Sequence, residues 1–188
     1  MRLVLASQSP RRSDLLAAAG FRFDVEPADI DERVWPGEEA AAHVARLAEA
    51  KARAVADSRS DDWILGADTV VVVDGQILGK PVNDPDAARM LALLSGRAHI
   101  VLTGVSVVHG GVSRTAVAST SVHLAPMTPA DIAWYVTSGE PRDKAGAYAI
   151  QGLASRFVTR IDGSYSNVVG LPVTVVCALL AELEFPTT

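Results

Sequence analysis

Residues Trp63–Val73, read as Trp-Ile-Leu-Gly-Ala-Asp-Thr-Val-Val-Val-Val, constrain the fold more than any other stretch of the chain. The run is rich in β-formers, and Asp74-Gly75 after it is a tight-hairpin signal leading into Gln76-Ile77-Leu78. It therefore reads as a strand. Alternation then places Asp68 on one face with Ile64, Val70 and Val72. A carboxylate on so apolar a face is expensive unless it is paired, hydrogen-bonded or bound to a metal. Gly66 and Ala67 leave room beside it for another group to approach closely. A structural salt bridge is one reading of Asp68. A metal ligand or general base is the other, and the one we prefer.

The N-terminal region also breaks a local rule. Residues 2–6 form a short apolar strand, and Pro10 suits the first position of a helix, where its missing N–H would have no partner anyway. Leu15, Leu16, Ala18 and Ala19 give that helix an apolar face, and Gly20 suits the residue past its end. Arg11 and Arg12 thus fall in the first turn, where the macrodipole disfavours each cation by roughly 0.3–1 kcal/mol. Free backbone N–H groups, the Ser7 hydroxyl and two guanidinium forks would form a site for a polyanion, most simply a phosphate. The competing reading is two solvated arginines on an ordinary amphipathic helix.

The remaining pattern alternates strands and helices without repeats or linkers. Residues 21–25 suggest a strand, followed by a loop holding Asp29-Ile30-Asp31-Glu32, and residues 38–57 a helix. A helix opens at Asp84-Pro85 and ends near Ser95-Gly96. Residues 100–109 and Val112–Leu124 read as an antiparallel pair turning at Gly110-Gly111. Thr128-Pro129-x-Asp131 starts a helix ending near Gly139. Residues 157–161 form a short strand, and residues 172–183 a closing apolar helix. The result is an α/β fold on a mixed sheet with flanking helices, and not a purely parallel doubly wound one.

The chain has 188 residues and fits one domain, 1–188, in which two lobes are conceivable. Its net charge of −5 argues against a nucleic-acid-coating surface. No apolar stretch is long enough for a membrane span or signal peptide. The one cysteine, Cys177, lies in an apolar run and reads as a core residue, with a reduced, cytoplasmic compartment following from cysteine usage. The four histidines show no metal-ligand spacing and read as surface or strand residues.

Lys51 lies seven residues after Val44, four after Leu47 and four before Val55, on the inward stripe of its helix. Either its stem is buried with the ammonium snorkelling to water, or it points into the anion pocket. Lys80, in Leu78-Gly79-Lys80-Pro81, follows a strand and could face the Asp68 end of the sheet. Residues 144–152 form a glycine-punctuated loop in which the Gln151 amide could read a base edge; the alternative is a plain connection. Residues 163–167 add hydroxyl and amide groups. Arg11, Arg12, Lys51 and Lys80 supply positive charge, and Glu32 and Asp68 are acids suited to a hard cation. Magnesium commonly bridges one or two carboxylates to substrate phosphates. The set suits a nucleoside polyphosphate, and no Gly-x-x-x-x-Gly-Lys-Ser/Thr loop is present.

Taken in order, these pieces resemble the Maf (septum-formation) family of nucleoside triphosphate pyrophosphatases. The matching motifs are Ala6-Ser7-x-Ser9-Pro10-Arg11-Arg12, Asp31-Glu32, Lys51 in a helix, Gly66-Ala67-Asp68-Thr69-Val70 and Gly79-Lys80-Pro81. They continue with Lys144-Ala145-Gly146-Ala147-Tyr148, Ile150-Gln151-Gly152 and residues 163–172. The resemblance implies an α/β fold related to inosine triphosphate pyrophosphatases, two lobes around a central cleft, and a homodimer. It implies hydrolysis of a nucleoside triphosphate to monophosphate and pyrophosphate with a divalent cation, magnesium or else manganese. By the same resemblance Asp68 is the catalytic proton acceptor and Ser7, Arg12, Lys51 and Lys80 hold phosphate. Glu32 acts with Asp68 through the metal. Arg11, Thr69 and Gln151 match the specificity positions of the branch acting on dTTP and UTP, with Ala149 where the family often has Gly. The rival reading is a regulatory nucleotide-binding protein acting in septum control through a protein partner.

Overall fold

The structure, a computed structural model, describes residues 2–186, so the extreme ends of the expected 1–188 domain lie outside the described residues. Its strands are β1 (Leu3–Leu5), β2 (Phe23–Val25), β3 (Trp63–Val73), β4 (Gln76–Leu78), β5 (Ala98–His109), β6 (Val112–Leu124) and β7 (Val158–Asp162). Its helices are α1 (Pro10–Ala18), α2 (Ala40–Ala56), α3 (Asp84–Leu94), α4 (Pro129–Thr137), α5 (Tyr165–Val169) and α6 (Val173–Glu182). The strands form one seven-stranded sheet in the order β2-β1-β3-β5-β6-β7, with β4 paired to β3. β1 runs parallel to β2 and β3, while β3–β4 and β6–β7 are antiparallel, so the sheet is mixed as expected. The chain divides into two compact units. One holds the residues up to Asp68, Thr103–Ala118 and the chain from Gly170; the other holds Thr69–Leu102 and Ser119–Val169.

In the first unit, strand alternation sorts two apolar layers. Leu3, Leu5, Leu65, Ala67, Val105 and Val107 pack on Leu16 of α1 and on Val176, Leu179 and Leu180 of α6. Val4, Ala6, Ile64 and Val108 pack on Ala52 and Val55 of α2. α2 lies unusually close to the sheet. A Cβ at Gly66 would meet the Ala48 carbonyl oxygen at 2.1 Å, and one at Gly104 would meet the Val44 carbonyl oxygen at 2.1 Å. The room that Gly66 provides is therefore taken by the α2 backbone, and not by a ligand.

The second unit is built from turns whose chemistry is local. Asp74 and Gly75 both take positive φ, as the two-residue hairpin between β3 and β4 requires. Asn83 caps α3 by accepting from the Asp86 N–H. Thr128 and Asp131 form a full capping box on α4, a device typically worth about 1 kcal/mol.

The structure corrects two expectations. Cys177 is exposed, because α6 buries Val176, Leu179 and Leu180 on one side and the next residue after Val176 turns about 100° away. His43 is neither a surface nor a strand residue but is buried inside α2, whereas His99 is a strand residue of β5, buried as well. Tyr165–Val169 form α5, an element the sequence pattern did not announce, and the loop after α4 contains three short 3-10 turns.

Candidate active site

Two periodicities set the geometry. Residues 64, 66 and 68 share the β3 face that α2 covers, and Lys51 shares the α2 stripe with Val44, Leu47, Ala48 and Val55, all buried. With Gly66 letting the helix close in, the Lys51 ammonium reaches Asp68 Oδ1 at 2.7 Å. It also lies 2.6 Å from Glu32 Oε1, so one ammonium bridges two carboxylates. Lys51 is thus not a snorkelling residue: its Nζ is engaged inside the protein, and Lys51 and Asp68 are only 7% and 9% exposed. Glu32 comes from the loop before α2, with its side chain about half exposed.

Arg12 is buried in the same unit. Its Nε donates to the Gly170 carbonyl at 2.8 Å, and its Nη1 donates to the Ala67 carbonyl at 2.8 Å and the Ser7 hydroxyl at 3.1 Å. Burial lowers the Arg12 pKa from its ordinary value, and the charge of Asp68 opposes that shift. Much of this guanidinium therefore holds the backbone beside Asp68 and orients Ser7, whose Oγ also accepts from the Ser9 N–H at 3.2 Å. The solvated-arginine reading fails for Arg12; Arg11 is half-buried.

The structure thus brings together Ser7, Arg12, Glu32, Lys51 and Asp68 in the first unit. Thr69, Lys80 and Gln151 belong to the second, where Lys80 and Gln151 are exposed and Thr69 is half-buried. There the Gly146 N–H donates to the Gly79 carbonyl at 3.0 Å, tying the Lys80 turn to the 144–152 loop. Gly146 has positive φ, and a Cβ on it would strike Val71 at 2.7 Å.

Sequence reasoning missed a support beneath Glu32. Glu38 accepts from Arg46 Nε at 2.6 Å and from the Trp35 N–H at 3.0 Å, and contacts His43 Nδ1 at 3.0 Å. Arg46 also lies over the Trp35 ring at 3.9 Å, and its Nη2 donates to the Arg33 carbonyl. These bonds hold the Glu38 carboxyl far below the usual carboxylate range, with Arg46 the main cause. They pin the segment just after Glu32 onto α2. The available signal was an acid immediately before a helix with His and Arg three residues apart on its first turns.

Among the described residues no group of three or more His, Cys, Asp or Glu side chains is placed to hold a metal. The donor set still fits a hard cation completed by phosphate and water oxygens. Glu32 and Asp68 both reach one positive centre, Lys51 Nζ, so their oxygens converge on a common point.

A family model described as Maf-like protein matches residues 2–183. The chain belongs to the Maf-like protein family. It is 54% identical over 190 residues to a dTTP/UTP pyrophosphatase of Anaeromyxobacter sp. (strain Fw109-5), covering 98% of this chain and 91% of that one. It is 53% identical to a dTTP/UTP pyrophosphatase of Moorella thermoacetica (strain ATCC 39073 / JCM 9320), covering 96% and 94%. A HAM1 protein from Coxiella burnetii shares the fold of this Maf-like chain, with a TM-score of 0.53, 15% identity, and coverage of 96% and 98%. Among the described residues no helix is long and apolar enough to cross a membrane.

Proposed function

We propose that the chain hydrolyses dTTP and UTP to the monophosphate and pyrophosphate. The observation that carries this reading is the Lys51 ammonium held between Glu32 and Asp68 on a buried strand face. The activity for which these relatives are named supplies the substrate class. A protein that only bound nucleotide would not need a buried acid there, and no observation favours the septum-regulator alternative.

In this reading Asp68 accepts the proton of the attacking water, and Lys51 fixes the carboxylate's position. Two of the three Lys51 donors serve carboxylates, and the third is available to a phosphate oxygen. Arg12 adds positive charge behind Asp68 and holds Ser7, whose hydroxyl hydrogen-bonds phosphate. Lys80 adds a further cation, and Arg11, Thr69 and Gln151 set base preference. Glu32 and Asp68 would hold a divalent cation, magnesium or manganese. When bound, that cation neutralises phosphate oxygens and helps ionise the water. The same reading treats the chain as one cytoplasmic nucleotide-hydrolysing domain with no nucleic-acid or membrane partner, working as a homodimer.

The test is direct. Incubation with a panel of nucleoside triphosphates and magnesium, with products separated by chromatography, should give dTMP and UMP with pyrophosphate. Release of orthophosphate, or no turnover, would refute the reading.

A further inference from the structure

Gln151 is exposed on irregular backbone, yet its surroundings are fixed from both sides. Tyr135 on α4 is fully buried. Its hydroxyl oxygen accepts the Ala149 N–H at 3.1 Å and its O–H donates to Glu140 Oε1 at 2.7 Å. Glu140 Oε2 accepts the Leu153 N–H at 2.9 Å, and Oε1 the Ala154 N–H at 3.4 Å. Backbone donors before and after Gln151 therefore end on two side chains that lie outside the loop. Gly152 completes the fit: a Cβ there would lie 2.1 Å from Glu140 Oε2. Burial and the bond to Glu140 raise the Tyr135 pKa far above the ordinary tyrosine range, so the phenol keeps its proton.

The chemistry of an amide explains why such a hold matters. A uracil edge offers a ring N–H donor beside a carbonyl acceptor, and a cytosine edge offers the reverse. A glutamine amide carries one acceptor and two donors, and a half-turn exchanges them. A freely rotating Gln151 would satisfy either base. Only an amide held in one orientation rejects the wrong edge.

We propose that Glu140 and Tyr135 are positioning residues for base selection, fixing the backbone from which the Gln151 amide reads the nucleobase edge. The inference rests on the function proposed above.

The test compares kcat/KM for UTP and for CTP in the wild type and in variants. The UTP:CTP ratio cancels the fraction of active protein, so partial misfolding does not move it. We expect the wild type to prefer UTP and Glu140→Gln to lower the ratio about tenfold, mainly through KM for UTP. Tyr135→Phe, which removes only the hydroxyl, should lower it by a smaller factor. Gln151→Ala should collapse the ratio, and adding Glu140→Gln to it should lower the ratio no further. A wild type that releases pyrophosphate from UTP, with Glu140→Gln and Tyr135→Phe both at the wild-type ratio, overturns this inference alone. So does a Gln151→Ala variant that keeps the ratio. A wild type that releases no pyrophosphate from UTP overturns the proposed function, and this inference with it.

Discussion

Gly66 and Gly152 each face a neighbour 2.1 Å from where a Cβ would sit, but the neighbours differ. At Gly66 it is the Ala48 carbonyl, part of the α2 main chain. At Gly152 it is the far oxygen of the Glu140 side chain. The first closeness joins a helix to a sheet, and it carries Lys51 to Asp68. The second joins an irregular loop to one carboxylate, and it steadies Gln151. The proposed acid–base groups are thus fixed by packing between regular elements, and the proposed recognition group by a few hydrogen bonds on irregular backbone. Damage in the first region should take fold and chemistry together. Damage in the second should leave the fold and blur selectivity.

The largest expected effect is on turnover. Asp68→Asn keeps the shape and the acceptor oxygen near Lys51, but it cannot take a proton. Loss of a general base is typically worth 10²–10⁴-fold, so kcat for dTTP should fall by about that factor, and the thermal midpoint should fall with it because Lys51 loses one of its two carboxylates. Near-normal turnover would make Asp68 a structural acid and end the contrast between the regions.

Lys51→Met comes next. Helical periodicity alone makes this change look harmless, since methionine suits the stripe between Leu47 and Val55. The structure reverses that expectation, because the ammonium is the ion-pair partner of a buried Asp68. Removing one side of a buried ion pair costs about 3–5 kcal/mol. Urea unfolding should show that loss, and turnover should fall as well. The double variant Lys51→Met/Asp68→Asn should recover much of the stability and none of the activity. A stable single variant would mean that Asp68 is reached by water or by another cation.

His99 sharpens the comparison from the second unit, where the buried titratable groups are neutral. It is 2% exposed and touches the Tyr148 hydroxyl at 2.8 Å. Burial, with a lesser push from His123, lowers its pKa to about 4. The unfolded chain protonates His99 near pH 6.5 and the folded chain does not. The native state is therefore fully stable above pH 6.5 and loses stability as pH falls towards about 4. The loss approaches roughly 3 kcal/mol in that window. His99→Gln removes the titration, so its urea midpoint should fall less between pH 7 and pH 4.5 than that of the wild type. Identical slopes would mean that His99 is charged in the fold.

Much of the first region was legible in the sequence because it rests on regular periods. Strand parity put Asp68 on the apolar face, and the 3.6-residue stripe put Lys51 inside. That the two meet was not legible, since it depends on α2 closing onto β3 at Gly66, a glycine that reads equally well as space for a ligand. Arg12 was read as a phosphate-binding residue, but its bonds to the Ala67 and Gly170 carbonyls come from residues 55 and 158 positions away. No local pattern announces them. In the second region Gln151 was visible as a polar residue among glycines. Its support was not, because Tyr135 reaches the loop from α4 and Glu140 from a 3-10 turn that carries no period. Cys177 misled because an apolar run does not say which side of a helix is covered.

The paired glycines give the smallest effects and the most direct test of the contrast. Gly66→Ala drives a methyl into main chain, which cannot step aside without moving α2. Overpacking of this kind costs typically 1–3 kcal/mol, and the displaced helix should pull Lys51 from Asp68 and lower kcat for dTTP along with the midpoint. Gly152→Ala meets only the end of a flexible side chain, and Gly152 has φ −110°, which alanine tolerates. Its stability loss should stay below about 1 kcal/mol, because the carboxylate can rotate away. In rotating it releases the Leu153 and Ala154 N–H groups, so the preference for UTP over CTP should shrink while kcat for UTP holds. Unfolding and kinetics on both variants decide the matter. If Gly152→Ala lowers kcat as Gly66→Ala does, the loop takes part in the chemical step, and the division between packed chemistry and hydrogen-bonded recognition is wrong.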